Sequence, residues 1–371
     1  MKVLLTATVQ SHICQFHRPL VSLLHKHGCE VHVAAKDNLA EKNGLKLDFV
    51  DKVYNVPFSR SPKSTDNIRA YKELKKIIKS NSYDVIHCNT PMGGIVTRLA
   101  ARKARTVGTK VYYTAHGFHF YKGAPKKNWF IYYPIEKWMS RLTDVLITIT
   151  QEDYHLAKKK FHTNIKYIHG VGVDQLKYLS INPEDNEAFR HKMGYNNRFI
   201  ILCTGELNDN KNQFTIIKAA QQLAKKRPEI LVLLAGNGPR EVELKKNIAD
   251  MQLHDHVHML GYCTDLEKYV NVSDMVVSAS YREGLPLNIM EALLCGKPVV
   301  ASNNRGHREL IENEVNGILV EYNESKYFQE SIENLMDSFE KRLLFKKNAR
   351  KMIVPFTMSN VEKELKEIYG L

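Results

Sequence analysis

The stretch REGLPLNIMEALLCGKPVV, residues 282–300, sets two carboxylates, Glu283 and Glu291, on either side of a glycine, a proline and several apolar side chains. Pro286 suits the first residue of a helix, where its missing N–H would be unpaired anyway. Gly296 suits the stop. The free amides and dipole of such a helix start make an anion site fit for phosphate. Glu291, about one and a half turns into that helix, would repel phosphate. A carboxylate beside a phosphate site instead accepts hydrogen bonds from ribose hydroxyls, as the acidic residue of dinucleotide folds does. Glu283, in the preceding loop, is placed to take hydroxyls of a sugar. The spacing does not make the two a general acid/base pair. Glutamates at this interval recur by chance; the weight comes from the strand, loop, proline and helix around them.

Those residues need a framework, and the chain supplies one twice. Continuous, β-branched apolar runs cover 2–8, 30–35, 84–89, 110–116 and 144–150, with helical candidates at 15–28, 66–80 and 93–106 between them. A second series covers 199–205, 230–236, 257–261, 275–280, 298–302 and 317–321. Runs without polar alternation are those of parallel strands covered on both faces. Strand–helix alternation repeated in this way predicts two doubly wound α/β domains. The expected division is 1–175, 176–355 and a C-terminal helix, 356–371, packing back on the first domain, with the polar stretch 174–197 as linker. Ligands of open parallel sheets bind beyond the carboxyl ends of the strands. Two facing domains would put both sets of loops around one cleft.

Further motifs then give a resemblance. Glu283 and Glu291 with Gly284, Leu285 and Pro286 between them, LLAGNGP (233–239), LGY (260–262), GKPVVAS (296–302) and NGILV (316–320) are similar to the retaining glycosyltransferases of family 4. Their GT-B fold is an α/β architecture of two facing Rossmann-like, doubly wound parallel-sheet domains. HGFHFYKGAP (116–125) resembles the branch that builds bacterial exopolysaccharide and capsule. The resemblance covers most of 199–320 and, more weakly, the first half. It implies that Glu291 binds the nucleotide ribose and Glu283 the donor hexose. Amides from Gly284 to Leu287 would meet the sugar or its diphosphate, and His116 would lie over the donor sugar. Tyr262 and Cys263 would meet the base. The family usually reads G-R-L and then a lysine after the first strand of the second domain. Here GELNDNK keeps Gly205, Leu207 and Lys211 but puts Glu206 in the arginine's place. One diphosphate cation is missing, so Lys211 must carry more of the leaving-group charge, helped by Arg282 or a first-domain residue. The loop ATVQSHICQFHRPL (7–20) lacks the family's glycines. Its Ser11, His12 and His17 face the acceptor or are ordinary loop and helix residues.

The implied reaction transfers a hexose or N-acetylhexosamine from a nucleoside-diphosphate sugar, with UDP the family's habit. His116, Lys211 and Glu283 are its catalytic candidates. Breaking the anomeric bond makes an oxocarbenium-like centre and a diphosphate anion, which Lys211 and the helix start would stabilise by preorganised charge. No Asp-x-Asp pair or His cluster with ligand spacing stands in the sequence, so neither metal nor cofactor is expected. Retention without a second carboxylate across the ring implies that a leaving-group oxygen assists the incoming hydroxyl on the same face.

Charge adds a partner. Residues 1–170 hold 28 Lys and Arg against 12 Asp and Glu, a net +16, whereas the remainder holds 26 against 28. A basic half suits an anionic surface or polyanion; the plain alternative is a solvated surface. Segment 118–142 interleaves both tryptophans with Lys122, Lys126 and Lys127. With Trp129, these lysines suit a bilayer interface, or the rings belong to an aromatic helix in the core. The expected acceptor is a lipid-linked oligosaccharide, and the expected place is the inner face of the cytoplasmic membrane, held peripherally. A soluble acceptor is the alternative. A nucleic-acid-binding α/β protein is the alternative of another class, on the basic run 98–110, and is not the expected partner. G-x-G at 236–238 lacks the third glycine and following acid of a dinucleotide fingerprint. No run reaches the roughly 18–20 apolar residues of a spanning helix, and the start is too soon polar for a signal peptide. Six scattered cysteines without a C-x-x-C pair fit a reduced cytosolic chain. Oligomeric state is not legible.

Overall fold

The computed structural model describes residues 1–41 and 44–371. The chain forms two compact units: residues 1–172 together with 358–371, and residues 173–357.

The first unit is built on a parallel sheet of seven strands among the described residues: β1 (Lys2–Val9), β2 (Glu30–Lys36), β3 (Lys52–Asn55), β4 (Val85–Asn89), β5 (Lys110–Ala115), β6 (Val145–Thr148) and β7 (Asn164–Tyr167). Their order is β3-β2-β1-β4-β5-β6-β7. Strands β1, β2, β4, β5 and β6 are buried almost throughout, which is why their sequences read as unbroken apolar runs. The edge strands β3 and β7 are largely exposed and carry no such run, so sequence reasoning misses them. The single helix expected at 15–28 is two, Gln10–Phe16 and Arg18–Lys26, meeting at His17. Pro19 explains the break, because a proline cannot continue the hydrogen-bond ladder from the preceding turn.

Arg98 is the largest fully buried side chain of this unit. Its guanidinium donates to both Glu136 carboxylate oxygens at 3.0–3.2 Å and to the Gly94 carbonyl at 3.0 Å. It also lies 4.0 Å from the centre of the Tyr113 ring. Gly94 leaves room for that ring, since a Cβ there would stand 2.6 Å from it. Arg105 is paired with Asp144. Two of the five basic residues in the 98–110 run are therefore spent on internal ion pairs rather than on an outward basic face.

The C-terminal helix Met358–Tyr369 belongs to this unit. Its Tyr369 hydroxyl meets His87 Nδ1 at 2.6 Å, and Glu364 takes hydrogen bonds from the backbone and ring of His169 at 2.9 and 2.6 Å. Burial, then the nearby His116, lowers the His87 pKa to about 3, so its ring is neutral and needs both partners, Tyr369 and Thr114. Tyr369→Phe is expected to cost about 1–3 kcal/mol by leaving a buried ring nitrogen unpaired. Urea unfolding checks this; an unchanged midpoint would show that the helix is held elsewhere.

The second unit has a six-stranded parallel sheet: β8 (Phe199–Thr204), β9 (Ile230–Ala235), β10 (Val257–Gly261), β11 (Met275–Ser278), β12 (Val299–Ser302) and β13 (Ile318–Val320), in the order β10-β9-β8-β11-β12-β13. The stretch expected as a linker instead begins this unit as two capped helices. Asp174 caps Gln175–Leu179 and Asn182 caps Pro183–Lys192, each accepting from an amide three residues on. The second of these helices buries none of its residues, which is why it reads as polar linker.

In each sheet the strand order reverses once, between β1 and β4 and between β8 and β11. Those two switch points are where an open α/β sheet receives its ligand. No helix of the described residues is long and apolar enough to cross a membrane.

Candidate active site

At the β8/β11 switch point, Lys211 Nζ lies 2.7 Å from Glu283 Oε1, joining residues far apart in sequence across the two strand ends. The supporting loops are tied together by backbone. Leu207 N–H donates to the Asn237 carbonyl, Arg240 N–H to Leu207, and Gly236 N–H to Gly261. Asn210 links to the next loop twice, accepting from the Tyr281 amide at 2.8 Å and donating to the Arg282 carbonyl at 2.9 Å. Asn288 holds the Thr204 carbonyl at 3.1 Å. The glycines of 236–238 serve close packing here. A Cβ on Gly236 would fall 2.0 Å from the Gly205 carbonyl oxygen, and one on Gly238 would fall 2.3 Å from that of Leu207. Gly205, at φ +139°, leaves the Lys211 stem its path, since a Cβ would stand 3.1 Å from Lys211 Cε.

The helix after β11 runs Leu287–Leu294, so Pro286 is its cap rather than its first residue. Gly296 follows in the left-handed region at φ +70°. Gly284 and Leu285 form the half-buried loop into that cap. Gly306 presses on this loop: a Cβ would lie 2.4 Å from the Gly284 carbonyl and 2.7 Å from Glu283 Cβ. Glu291 is buried, 9% exposed, and bonded to the Tyr178 hydroxyl. Burial pushes its carboxyl up to about 7, against the Tyr178 hydrogen bond and Lys177, which lower it. Tyr178 comes from the stretch read as linker, and no sequence signal singled it out. Glu206, in the place of an expected cation, is exposed and accepts from Asn208 at 3.0 Å. Tyr262 and Cys263 follow the edge strand β10, two strands from β8. The Tyr262 ring is exposed, and the Cys263 thiol approaches the Gly261 carbonyl at 3.7 Å.

At the β1/β4 switch point of the first unit, three imidazoles converge. His12, His17 and His116 each offer a ring nitrogen, and the three atoms lie within 4.8 Å of one another. The expectation concerned histidines at ligand spacing in the sequence; His116 is distant in sequence from the other two, and the fold assembles the trio. Asn89 fixes one member: its Nδ2 donates to the Thr6 carbonyl, so its Oδ1 accepts from His116 Nε2 at 3.2 Å. The Nε2 atoms of His12 and His17 are shielded from solvent without a hydrogen-bond partner. Burial holds all three rings neutral, lowering His116 to about 4. Ser11 is turned to Asn38, with which it exchanges hydrogen bonds at 3.1 and 2.9 Å. Beside the trio, Thr90 adopts φ +63°, ψ 149°, a region nearly confined to glycine. Its hydroxyl is locked to Thr8 at 2.7 Å.

The helix Lys126–Ser140 divides the aromatic segment. Trp129, expected on the surface, turns its ring to Phe120 and Tyr133 and donates from Nε1 to the Tyr121 carbonyl at 3.2 Å. The outward tryptophan is Trp138, 51% exposed, with Phe130 at 80% and Ile131 at 53%. Lys122, Lys126 and Lys127 are exposed at one end of this face.

Known proteins fit this picture. Residues 185–352 match the family "Glycosyl transferases group 1" and residues 2–150 match "Glycosyl transferase 4-like". EpsD of Bacillus subtilis (strain 168), a glycosyltransferase by provisional assignment, is 40% identical over 100% of this chain and 96% of its own length. The Escherichia coli UDP-Gal:alpha-D-GlcNAc-diphosphoundecaprenol alpha-1,3-galactosyltransferase is 28% identical over 89% of this chain and 87% of its own. The crystal structure of Anabaena Alr3699/HepE in complex with UDP has the same fold, with a TM-score of 0.79 at 23% identity and 100% coverage of both chains. The chain belongs to this glycosyltransferase family and has its GT-B α/β fold.

Proposed function

We propose that this glycosyltransferase moves a hexose or N-acetylhexosamine from a UDP-sugar, with retention, onto a lipid-linked oligosaccharide at the cytoplasmic membrane surface, in the making of exopolysaccharide or capsule. The observation that carries the reading is the Lys211–Glu283 pair at the β8/β11 switch point, a cation and a carboxylate held together where a donor diphosphate and its sugar would lie. Donor binding exchanges the partners: Lys211 turns to the diphosphate and Glu283 to the sugar hydroxyls. The amides of Gly284, Leu285 and Leu287 join Lys211 on the leaving group. Glu291 takes the ribose hydroxyls, Tyr262 and Cys263 border the base, and Gly205 keeps the lysine's path clear. His116 is the first unit's candidate for the donor sugar, and the loop that carries His12 and His17 is its candidate for the acceptor. No step of this scheme requires a metal ion.

UDP as the nucleotide is supported by the UDP-Gal donor of the E. coli relative and by Alr3699/HepE, solved also with UDP-glucose. A diphosphoundecaprenol-linked acceptor is named for that E. coli relative. The outward Phe130, Ile131 and Trp138, with Lys126 and Lys127 nearby, support a membrane-bound acceptor, since such faces settle at the headgroup level of anionic bilayers. Each lysine there contributes about 1 kcal/mol. Lys126→Gln with Lys127→Gln should therefore weaken binding to phosphatidylglycerol vesicles by up to about thirtyfold, and added salt should weaken the wild type. Co-sedimentation measures it, with transfer to a short soluble acceptor as control. Wild-type protein that stays in solution at low salt would remove the membrane from this reading.

A further inference from the structure

The cluster at the β1/β4 switch point has properties that the transfer reaction does not use. Two of its nitrogens, Nε2 of His12 and Nε2 of His17, are sealed from water with no hydrogen-bond partner. A buried polar atom left unpaired is costly, and the two rings that carry these atoms stand with His116 so that one nitrogen of each lies within 4.8 Å of the others. The His17 ring is only 4% exposed. His87, the next ring over, is excluded because Tyr369 and Thr114 occupy both its nitrogens.

We propose that His12, His17 and His116 form a binding site for a borderline divalent transition metal of the Zn2+, Co2+ or Ni2+ class. Three imidazoles with an open fourth position are a set such ions take, whereas Mg2+ and Ca2+ require oxygen ligands. The orienting contact that metal-ligating histidines need is already in place: Asn89 Oδ1 accepts from His116 Nε2 and holds that ring. Metal–nitrogen bonds of about 2.0–2.1 Å in a tetrahedron put the nitrogens about 3.3 Å apart. Closing from the observed separation, at most 4.8 Å, brings the nitrogens nearer by up to about 1.5 Å, which small ring rotations supply. A metal held there occupies His116, so it also blocks transfer; this consequence rests on the proposed role of His116 over the donor sugar.

Titration of tag-free protein with Co2+ tests the site directly. The expected result is one equivalent bound with the intense visible bands of a tetrahedral centre, displaced by Zn2+ and unaffected by excess Mg2+. His17→Gln and His12→Gln should each weaken binding by at least about a hundredfold, with circular dichroism confirming that they fold. His155→Ala, which removes an exposed histidine elsewhere, should bind as the wild type does. Absence of the bands, equal binding in His17→Gln, or displacement by Mg2+ would overturn the site. Zn2+ bound at one equivalent with transfer undiminished would overturn the blocking role of His116 while leaving the site.

Discussion

Lys211→Ala lowers turnover of the sugar nucleotide by more than about a hundredfold, the loss typical of removing one oxyanion donor. The excess follows from the loop that carries it. Glu206 stands where the family resemblance expects an arginine, and it faces solvent with Asn208, so no second cation follows β8 to share the departing charge. The variant also leaves Glu283 without its partner at 2.7 Å. Lys211→Arg should restore only part of the rate, because the lysine stem passes closely over Gly205 and ends on one carboxylate oxygen. Steady-state kinetics with a thermal melt as folding control decides the matter. A variant that keeps most of its turnover would place the leaving-group cation elsewhere.

Glu291→Gln weakens binding of free UDP by about 1.5–3 kcal/mol, the worth of a hydrogen bond to a charged group, or roughly ten- to 150-fold. The pH dependence is the sharper expectation. Burial raises the Glu291 carboxyl to about 7 from a usual 4.5. Ribose hydroxyls donate best to the ionised form, so UDP affinity falls as pH drops below about 7, and binding near neutrality releases a proton. The stability of the nucleotide-free protein moves the other way. A carboxyl raised on folding adds stability that is fully present below its unfolded pKa and is lost as pH rises through the folded value. Calorimetry on either side of neutrality reads both effects. In Glu291→Gln the pH slope should vanish; a slope that persists would assign the titration to another group.

The sequence revealed the strands best where burial is symmetrical. β1, β4, β5, β8 and β9 are sealed on both faces and read as unbroken apolar runs, whereas β3 and β7 lie at sheet edges, half exposed, and left no pattern. Lys211 and Glu283 were each visible in a motif, but their pairing was not, because it depends on β8 and β11 being neighbours. Tyr178 was hidden in a stretch whose capped helices look polar from outside. The histidine trio was least visible: His12 and His17 stand at an H-x4-H interval that zinc sites also use, but a pair is not a site, and His116 joins them only through the strand order. Trp129 and Trp138 belong to one helix, and composition could not say which faces outward; Phe120, Tyr133 and the Tyr121 carbonyl settle it for Trp129.

Glycosyl transfer itself is tested most directly by nuclear magnetic resonance of the product. Purified protein is given a panel of UDP-sugars and a short-chain polyprenyl-diphosphate-linked saccharide in anionic vesicles, in the presence of EDTA. The expected product carries one added hexose or N-acetylhexosamine whose anomeric coupling matches that of the donor. An inverted linkage, or UDP released with no new glycosidic bond on the lipid-linked acceptor, would contradict it.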